Sequence, residues 1–400
     1  MPERNFDLIL IGATGFTGSR AVQYLSDHAP KNLKWGIAAR NPEKIKNVAD
    51  RHNIDEDRCF IVDTTIREQV EAVAQKTRII LTTVGPFSLY GEEVIAACAR
   101  LGTHYLDITG EVGFIKQMKE KYNQLAQNSG AAIIPFSGFD SIPAELAAFS
   151  LSRRFPQTPQ KLDIRAHYSI SGGFNGGTIA TMLNKFESGE YKKMGNPRLL
   201  MDGKKQKVHP SDRNNFLGYD RTLQQWSVPF IMSGINSKVV YKTAEWMAAQ
   251  GKPYAKSISY SEHMNLGPWY NPIPFIVISL FLITLQLLGS KKWFRSLIKK
   301  FAPGPGEGPS EDQIENGFFK LQAFATDQDG KARSIRISYP GDPGNKSTIF
   351  FLCESALLLA KQHSFAKKGF LTPVSAFEDL LLNHLKANGL RIESRDKVEV

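Results

Sequence analysis

The chain has 400 residues, 42% of them hydrophobic and 22% charged, with a formal net charge of +11. That length and balance exclude a disordered or fibrous chain and suit about two globular domains with sizeable cores. Residues 291–300 (KKWFRSLIKK) supply five of the positive charges and no acid, so the basicity is partly local; it points to an anionic surface near residue 295 rather than to a nucleic-acid binder, and neither zinc-finger spacing nor an RNA-binding signature occurs.

The first element is a short apolar strand, Leu8–Ile11, followed by GATGFTG (12–18) and a helix in which Val22 and Leu25 share a face. Strand, glycine turn and helix start form the context in which such glycines hold a dinucleotide phosphate, although a tight turn alone would use the same residue type. Gly12 would allow the turn, Gly15 the approach of a pyrophosphate, and Gly18 close packing of helix on strand. Thr14, Phe16 and Thr17 complete the loop, whose helix start offers free N–H groups to the anion. The second strand, Leu33–Ala39, ends at Arg40, where an NAD-selective site would carry an acid for the ribose 2′-hydroxyl. A guanidinium pairs with a 2′-phosphate instead, and Lys44, one turn on, adds a second charge, so the expected cofactor is NADP(H).

Strands at Phe60–Asp63, Arg78–Val84, His104–Asp107 and Ala131–Ile134 alternate with helices at Arg67–Lys76, Glu92–Leu101 (Gly102 as its stop) and Phe114–Asn128. Continuous apolar strands alternating with helices imply a parallel sheet covered on both faces, with ligands beyond the carboxyl ends of the strands. Those ends carry Asp63, TVGPF (83–87), DITGE (107–111) and GFDSIP (138–143). Val84, Gly85 and Pro86 lie where nicotinamide and its ribose would rest. Asp63 suits either the adenine side or the cap of the next helix. A reduction also needs a proton donor, for which Tyr90, Tyr105, Glu111 and Asp140 are the candidates, each with a structural alternative; Asp140, for instance, also suits a helix cap.

From about residue 156 the rhythm changes. Leu162–Ser171, Val239–Thr243, Phe318–Thr326 and Ala332–Tyr339 read as strands, with DQDG (327–330) turning an antiparallel hairpin. Phe351–His363 reads as a helix, and Thr372-Pro373 opens another that runs to Gly389. The expected fold is therefore α/β: a dinucleotide-binding domain over 1–155, a mixed-sheet substrate or dimerisation domain over 156–351, and C-terminal helices over 352–400 packing on the first domain. Ile273–Leu288 is a 16-residue apolar run, about 24 Å as a helix, short of the roughly 20 residues that span a bilayer. With Trp293 and the basic run it suits a lipid surface; a buried or homodimer-interface helix and a true span are the alternatives. Cys59, Cys98 and Cys353 are scattered and odd in number, as in a reducing compartment, and MPERNFDLIL has no secretory apolar region, so an intracellular, cytoplasmic location, peripheral on a membrane or lipid surface, is expected and the sequon at Asn345 goes unused. No metal site is expected.

With these stretches in view the chain resembles the saccharopine dehydrogenase-like oxidoreductases, in particular the branch that includes trans-acting enoyl reductases. The resemblance rests on GATGFTG with Arg40, on 82–111, on GFDSIPAEL (138–146), GGTIAT (176–181), GPSEDQIENGFFKL (308–321) and YPGDPG (339–344). It implies an NADP(H)-binding Rossmann domain, a mixed α/β second domain, a C-terminal return to the first, and an apolar stretch where this chain has 273–288. One departure is Glu378, where the family commonly has glycine. Two functions follow: an NADPH-dependent reductase of a small, apolar, lipid-like substrate, with enoyl reduction foremost among C=C, C=O and C=N bonds, or a non-catalytic dinucleotide-binding scaffold at a lipid surface. Saccharopine chemistry itself fits less well, because its polycarboxylate substrate would call for an arginine cluster at the strand ends.

Overall fold

A computed structural model describes residues 4–395, apart from 174, 188, 190–194, 204, 205, 212–216, 222, 305, 306 and 363 and the side chains of 177, 178, 181 and 185. The first half alternates strands and helices: β1 (Phe6–Ile11), α1 (Phe16–His28), β2 (Trp35–Ala39), α2 (Pro42–His52), β3 (Cys59–Ile61), α3 (Arg67–Lys76), β4 (Thr77–Thr82), α4 (Phe87–Tyr90), α5 (Glu92–Leu101), β5 (His104–Asp107), α6 (Val112–Ser129), β6 (Ala132–Ile134) and α7 (Ile142–Ser152). Then come β7 (Lys161–Ser171), α8 (Gly176–Glu187), β8 (Lys207–Val208), β9 (Gly218–Asp220), β10 (Gln225–Pro229), α9 (Ser233–Ala249), β11 (Ser257–Pro268), α10 (Ile273–Leu288), α11 (Lys292–Phe301), α12 (Glu311–Glu315), β12 (Phe318–Asp327) and β13 (Ala332–Pro340). The chain closes with α13 (Thr348–Lys361), β14 (Gly369–Phe370), α14 (Pro373–Phe377), α15 (Asp379–Ala387) and β15 (Arg391–Arg395).

The first sheet has seven parallel strands in the order β14-β6-β5-β4-β1-β2-β3. Six of them follow the doubly wound order of a dinucleotide-binding sheet. Leu8 and Leu10 of β1 enter one apolar cluster with α1, while Ile9 and Ile11 enter another with α3 and α5. Both faces are therefore covered, which is why these strands are continuously apolar instead of alternating. The second sheet, β15-β13-β12-β7-β11-β10-β9 with β8 beside β11, is mixed: β7–β11 and β8–β11 are parallel and the other pairs antiparallel. Its β7 alternates, with Leu162, Ile164, Ala166 and Tyr168 turned to the core.

Two helices join the sheets into one core. α7 packs on β7, β12 and β13, and α13 on α1, β1, β4 and β5. Every residue from Thr348 to Ala360 of α13 is buried, so this helix has no solvent face and reads as apolar all round. Each of its large side chains contributes about 1.5–3 kcal/mol through burial.

The structure corrects three expectations. Val239–Thr243 is helical, within α9; its β-branched run imitates a strand, but Ile235, Val239, Val240, Thr243, Ala244 and Met247 are buried at helical spacing. The segment after α13 contributes strands as well as helices, since β14 extends the first sheet and β15 the second. The single helix expected from Pro373 to Gly389 is two, broken at Glu378, whose φ of +50° and ψ of −128° belong to a region that favours glycine. That is the position at which the resemblance leads one to expect glycine. Here the carboxylate is held by Lys367 at 2.8 Å and Lys252 at 3.4 Å. Because alanine and glycine both lose those ion pairs and only alanine keeps the strained backbone, Glu378→Gly should be about 1 kcal/mol more stable than Glu378→Ala, read as the difference in thermal midpoint; equal midpoints would remove the strain from Glu378.

Candidate active site

The glycine loop follows from close approach. Gly12 has φ +94°, and a Cβ there would lie 2.8 Å from both Thr83 Oγ1 and Val84 Cγ2. A Cβ on Gly18 would lie 1.9 Å from the Gly12 carbonyl oxygen, so the first turn of α1 can rest against the end of β1 only without a side chain. Gly15 differs. Its φ of −77° suits any residue, and a Cβ would meet nothing nearer than the Gly12 oxygen at 3.4 Å. It is the N-cap of α1, with no side-chain cap and no acid in the first turn. The N–H groups of that turn have no side-chain cap, and a Cβ on Gly15 would meet no side chain within 4 Å, a cradle that suits a pyrophosphate. Thr14, Phe16 and Thr17 line it, partly buried.

Arg40 follows β2, with its side chain 76% exposed and Nη1 4.0 Å from Asp63 Oδ2. Asp63 Oδ1 accepts the Thr65 N–H at 3.0 Å and hydroxyl at 2.7 Å, which hold its carboxyl below the usual range. Asp63 thus forms the turn before α3, whose N-cap is Ile66, and leaves one oxygen toward Arg40. Asn41 caps α2 through the Lys44 N–H at 2.8 Å, leaving the exposed Lys44 side chain beside Arg40 on the same strand-to-helix turn.

At the next strand ends the acids are largely committed. Asp107 Oδ1 accepts the N–H groups of Thr109 and Phe136, at 3.0 and 3.1 Å, and Oδ2 accepts the Tyr105 hydroxyl at 2.7 Å. Burial raises the Asp107 carboxyl to about 7. Thr109 Oγ1 accepts the Glu111 N–H at 3.0 Å, and the Glu111 carboxylate accepts the N–H groups of Phe87 and Ser88, at 2.7 and 3.1 Å. Glu111 fixes the loop Val84-Gly85-Pro86, which contains a cis Gly85–Pro86 bond, against the end of β5. Of the proton-donor candidates, Tyr105, 0% exposed, and Glu111, 1% exposed, are buried and engaged in these hydrogen bonds. Tyr90, at the end of α4, is partly exposed, and Asp140 precedes the N-cap of α7, Ser141, so Asp140 is not that cap.

Beside Asp140 lies a buried acid that the sequence reading missed. The Glu262 carboxylate on β11 accepts from Tyr260 at 2.7 Å, from Asn236 at 2.9 and 3.2 Å, and from Tyr168 at 3.3 Å. Burial raises it to about 8, with the nearby Asp140 charge adding to the shift. The signal lay in SISYSEHM: Ile258 and Tyr260 face the core, and Glu262 continues their alternation.

The second sheet's connections close over the loop. Phe16 lies between the Arg20 guanidinium, 4.0 Å above its ring, and Gly308, where a Cβ would come within 2.3 Å of the ring. Arg20 also pairs with Glu311. The Gly176 N–H donates to Glu307 O at 3.0 Å, and Asn175 Nδ2 donates to Asn345 Oδ1 at 2.9 Å. Thus GGTIAT, GPSED and YPGDPG, far apart in sequence, meet beside the phosphate loop. Among the described residues no group of three or more His, Cys, Asp or Glu could hold a metal ion.

Residues 8–134 match the saccharopine dehydrogenase NADP-binding domain family. A Mycobacterium tuberculosis protein named for trans-acting enoyl reductase activity is 30% identical over 98% of both chains. The chain belongs to the saccharopine dehydrogenase-like family, in its trans-acting enoyl reductase branch. The trans-acting enoyl reductase of Mycobacterium bovis is 29% identical over 97% of both chains. Among solved structures, saccharopine dehydrogenase (L-Glu forming) from Saccharomyces cerevisiae aligns with a TM-score of 0.55 at 11% identity, over 98% of this chain and 100% of that one. Homospermidine synthase from Legionella pneumophila aligns with a TM-score of 0.54 at 11% identity, over 98% and 91% of the two chains. At such identity these two show the fold alone. This family member is an NADP-dependent oxidoreductase.

Two outcomes test the assignment of loop residues. Gly15→Val should abolish NADPH and NADH binding in fluorescence titrations while leaving the circular dichroism spectrum and thermal midpoint near wild type, because the new side chain enters the cradle and strains nothing; undiminished binding would disprove the phosphate role. Arg40→Glu should weaken NADPH binding by about 10- to 100-fold, the worth of a charge-assisted contact, and NADH binding much less. Equal losses would move the 2′-phosphate elsewhere.

Proposed function

We propose that the protein reduces the C=C bond of an apolar enoyl substrate with NADPH. The observation that carries the substrate class is the absence of cations from the strand-end loops: TVGPFSLYG (83–91), DITGE (107–111) and PFSGFDSI (135–142) contain no Arg, Lys or His. A polycarboxylate substrate would meet no counter-charge there, whereas Val84, Pro86 and Ile108 are partly exposed and Leu89 is 61% exposed. The names of the relatives agree with enoyl reduction.

NADPH, when bound, would supply the hydride that the enoyl β-carbon requires. The chain's own residues hold the cofactor through the α1 N-terminus, Arg40 and Lys44, and keep the Val84–Pro86 loop fixed through Glu111. A proton must then reach the α-carbon. Tyr90 stands one helical turn beyond Pro86 and is partly exposed, which favours it over the buried Tyr105. Asp140, beside the Tyr168–Glu262 cluster, is the alternative donor.

NADPH oxidation should be followed with enoyl thioesters of increasing chain length, ketones and imines. Turnover of long enoyl thioesters is expected, and Tyr90→Phe should lower kcat by about 100-fold or more with NADPH affinity unchanged. Full activity in that variant together with loss in Asp140→Asn would make Asp140 the donor. Intact NADPH binding with no turnover of any acceptor would favour the scaffold reading.

A further inference from the structure

Helices α10 and α11 carry apolar surface that stands exposed among the described residues. On α10, Ile273, Val277, Leu280 and Leu287 are 59–69% exposed, and on α11 Trp293 and Phe301 are 60% and 79% exposed. Trp269 and Tyr270, at 67% and 71%, continue the patch at the end of β11. An isolated apolar side chain at the surface is ordinary, but a contiguous patch of this kind marks an interaction site. No acidic residue lies between Glu262 and Glu307, while Lys291, Lys292, Lys299 and Lys300 are exposed along the edge of the patch. None of these lysines has an ion-pair partner among the described residues. Arg295 does not share their role: it is 8% exposed, donates to the carbonyls of Gly289 and Ser290 at 3.3 and 2.7 Å, and faces Glu187 at 3.6 Å.

We propose that the consecutive helices α10 and α11 dock the protein on an anionic lipid surface, with their exposed apolar side chains in the acyl boundary and the four exposed lysines at the headgroups. No helix among the described residues is long and apolar enough to cross a membrane, so the contact lies in the plane of the interface. The pattern is that of interfacial helices, with aromatic and aliphatic residues on one face and lysines beside them. Charge argues against a second copy of this chain as the occupant. A two-fold contact would gather the lysines of both copies around one patch without an acid to meet them, and interface cores are depleted in lysine.

The two helices are tied to their neighbours by specific contacts. Phe275 stacks on Trp226 with ring centroids 4.8 Å apart, and the Trp226 indole N–H donates to Trp269 O at 3.1 Å. Gly289 lies against the Phe186 ring, so close that a Cβ would come within 2.6 Å of it. Phe186 and Glu187 end α8, and Asn184 on the same helix meets Ser88 of α4, Nδ2 to Oγ, at 3.4 Å. One helix, α8, therefore touches both the α10–α11 segment and α4, which follows the Val84–Pro86 loop. This deepens the enoyl-reductase reading, on which only the delivery of substrate from the lipid rests; the docking itself needs no turnover.

Vesicle flotation decides the matter. Wild-type protein should float with phosphatidylcholine–phosphatidylglycerol vesicles at low salt and less with phosphatidylcholine alone. It should be released as salt shortens the Debye length below about 8 Å. Changing the four lysines to glutamine should weaken binding by about tenfold or more, and Leu280→Asp with Leu287→Asp should abolish it, both with NADPH affinity unchanged as evidence of an intact fold. Should the aspartate variant lose NADPH binding, the lysine variant decides alone. The proposal is overturned if wild type stays off anionic vesicles at low salt, if the lysine variant floats as well as wild type, or if the protein is a dimer that the aspartate variant converts to monomer without any lipid binding. Flotation of an inactive protein would leave docking standing and remove the reductase reading, and turnover without flotation would do the reverse.

Discussion

The Gly12 carbonyl oxygen occupies the place where a side chain at residue 18 would begin, and the rest of the site depends on that contact. It brings the first turn of α1 onto the end of β1, so the unpaired donors of the helix point beyond the sheet instead of into it. Gly12 itself fits because Thr83 and Val84 of the neighbouring strand end close around its bare Cα. The same few ångströms fix how closely the loop after β4 runs past the glycine turn. A side chain at Gly12 would press on Thr83 and Val84 and one at Gly18 would lift α1 off the Gly12 carbonyl, whereas one at Gly15 would meet only the Gly12 oxygen at 3.4 Å. Three glycines in one motif perform two physically different tasks.

A second layer of organisation ties the strand ends to one another. Asp107 holds the ends of β5 and β6, including Phe136 at φ +64°, a conformation an aromatic residue adopts only under constraint. Thr109 and Glu111 carry the connection on to α4. A buried carboxyl is costly unless its hydrogen bonds are made, and here they go to backbone N–H groups whose own alternatives would be unsatisfied. The arrangement resists displacement of any one loop. The acids at these strand ends, Asp107 and Glu111, thus spend their acceptors on neighbouring loops.

Much of the first sheet was legible because each strand is buried on both faces and each helix shows a one-sided stripe; the glycine loop, Arg40 and the helix at 273–288 stood out for the same local reasons. The second sheet was harder. Val239–Thr243 satisfies strand propensity, and only its neighbours 12 residues apart in burial, Ile235 and Met247, reveal the helix. Tyr105, Glu111 and Asp140 looked alike in sequence as polar groups near strand ends. Whether such a group is committed to a backbone N–H or free to meet a substrate depends on partners such as Phe87, 24 residues from Glu111. Glu262 was hidden for a related reason: its partners Tyr168 and Asn236 come from distant segments, and no local pattern brings them together.

The two-residue strand β14 bears on how the protein is made. It pairs with β6 through Gly369↔Ala132 and Phe370↔Ile133. During synthesis the edge of β6 thus waits for more than half the chain before its last neighbour emerges, leaving donors and acceptors of an apolar strand open to mispairing with other chains. α13, which must cover the same sheet from Thr348 onward, arrives equally late. The first sheet and one of its covering layers are therefore completed only by residues from Thr348 onward, which ties the N-terminal half to the end of the chain.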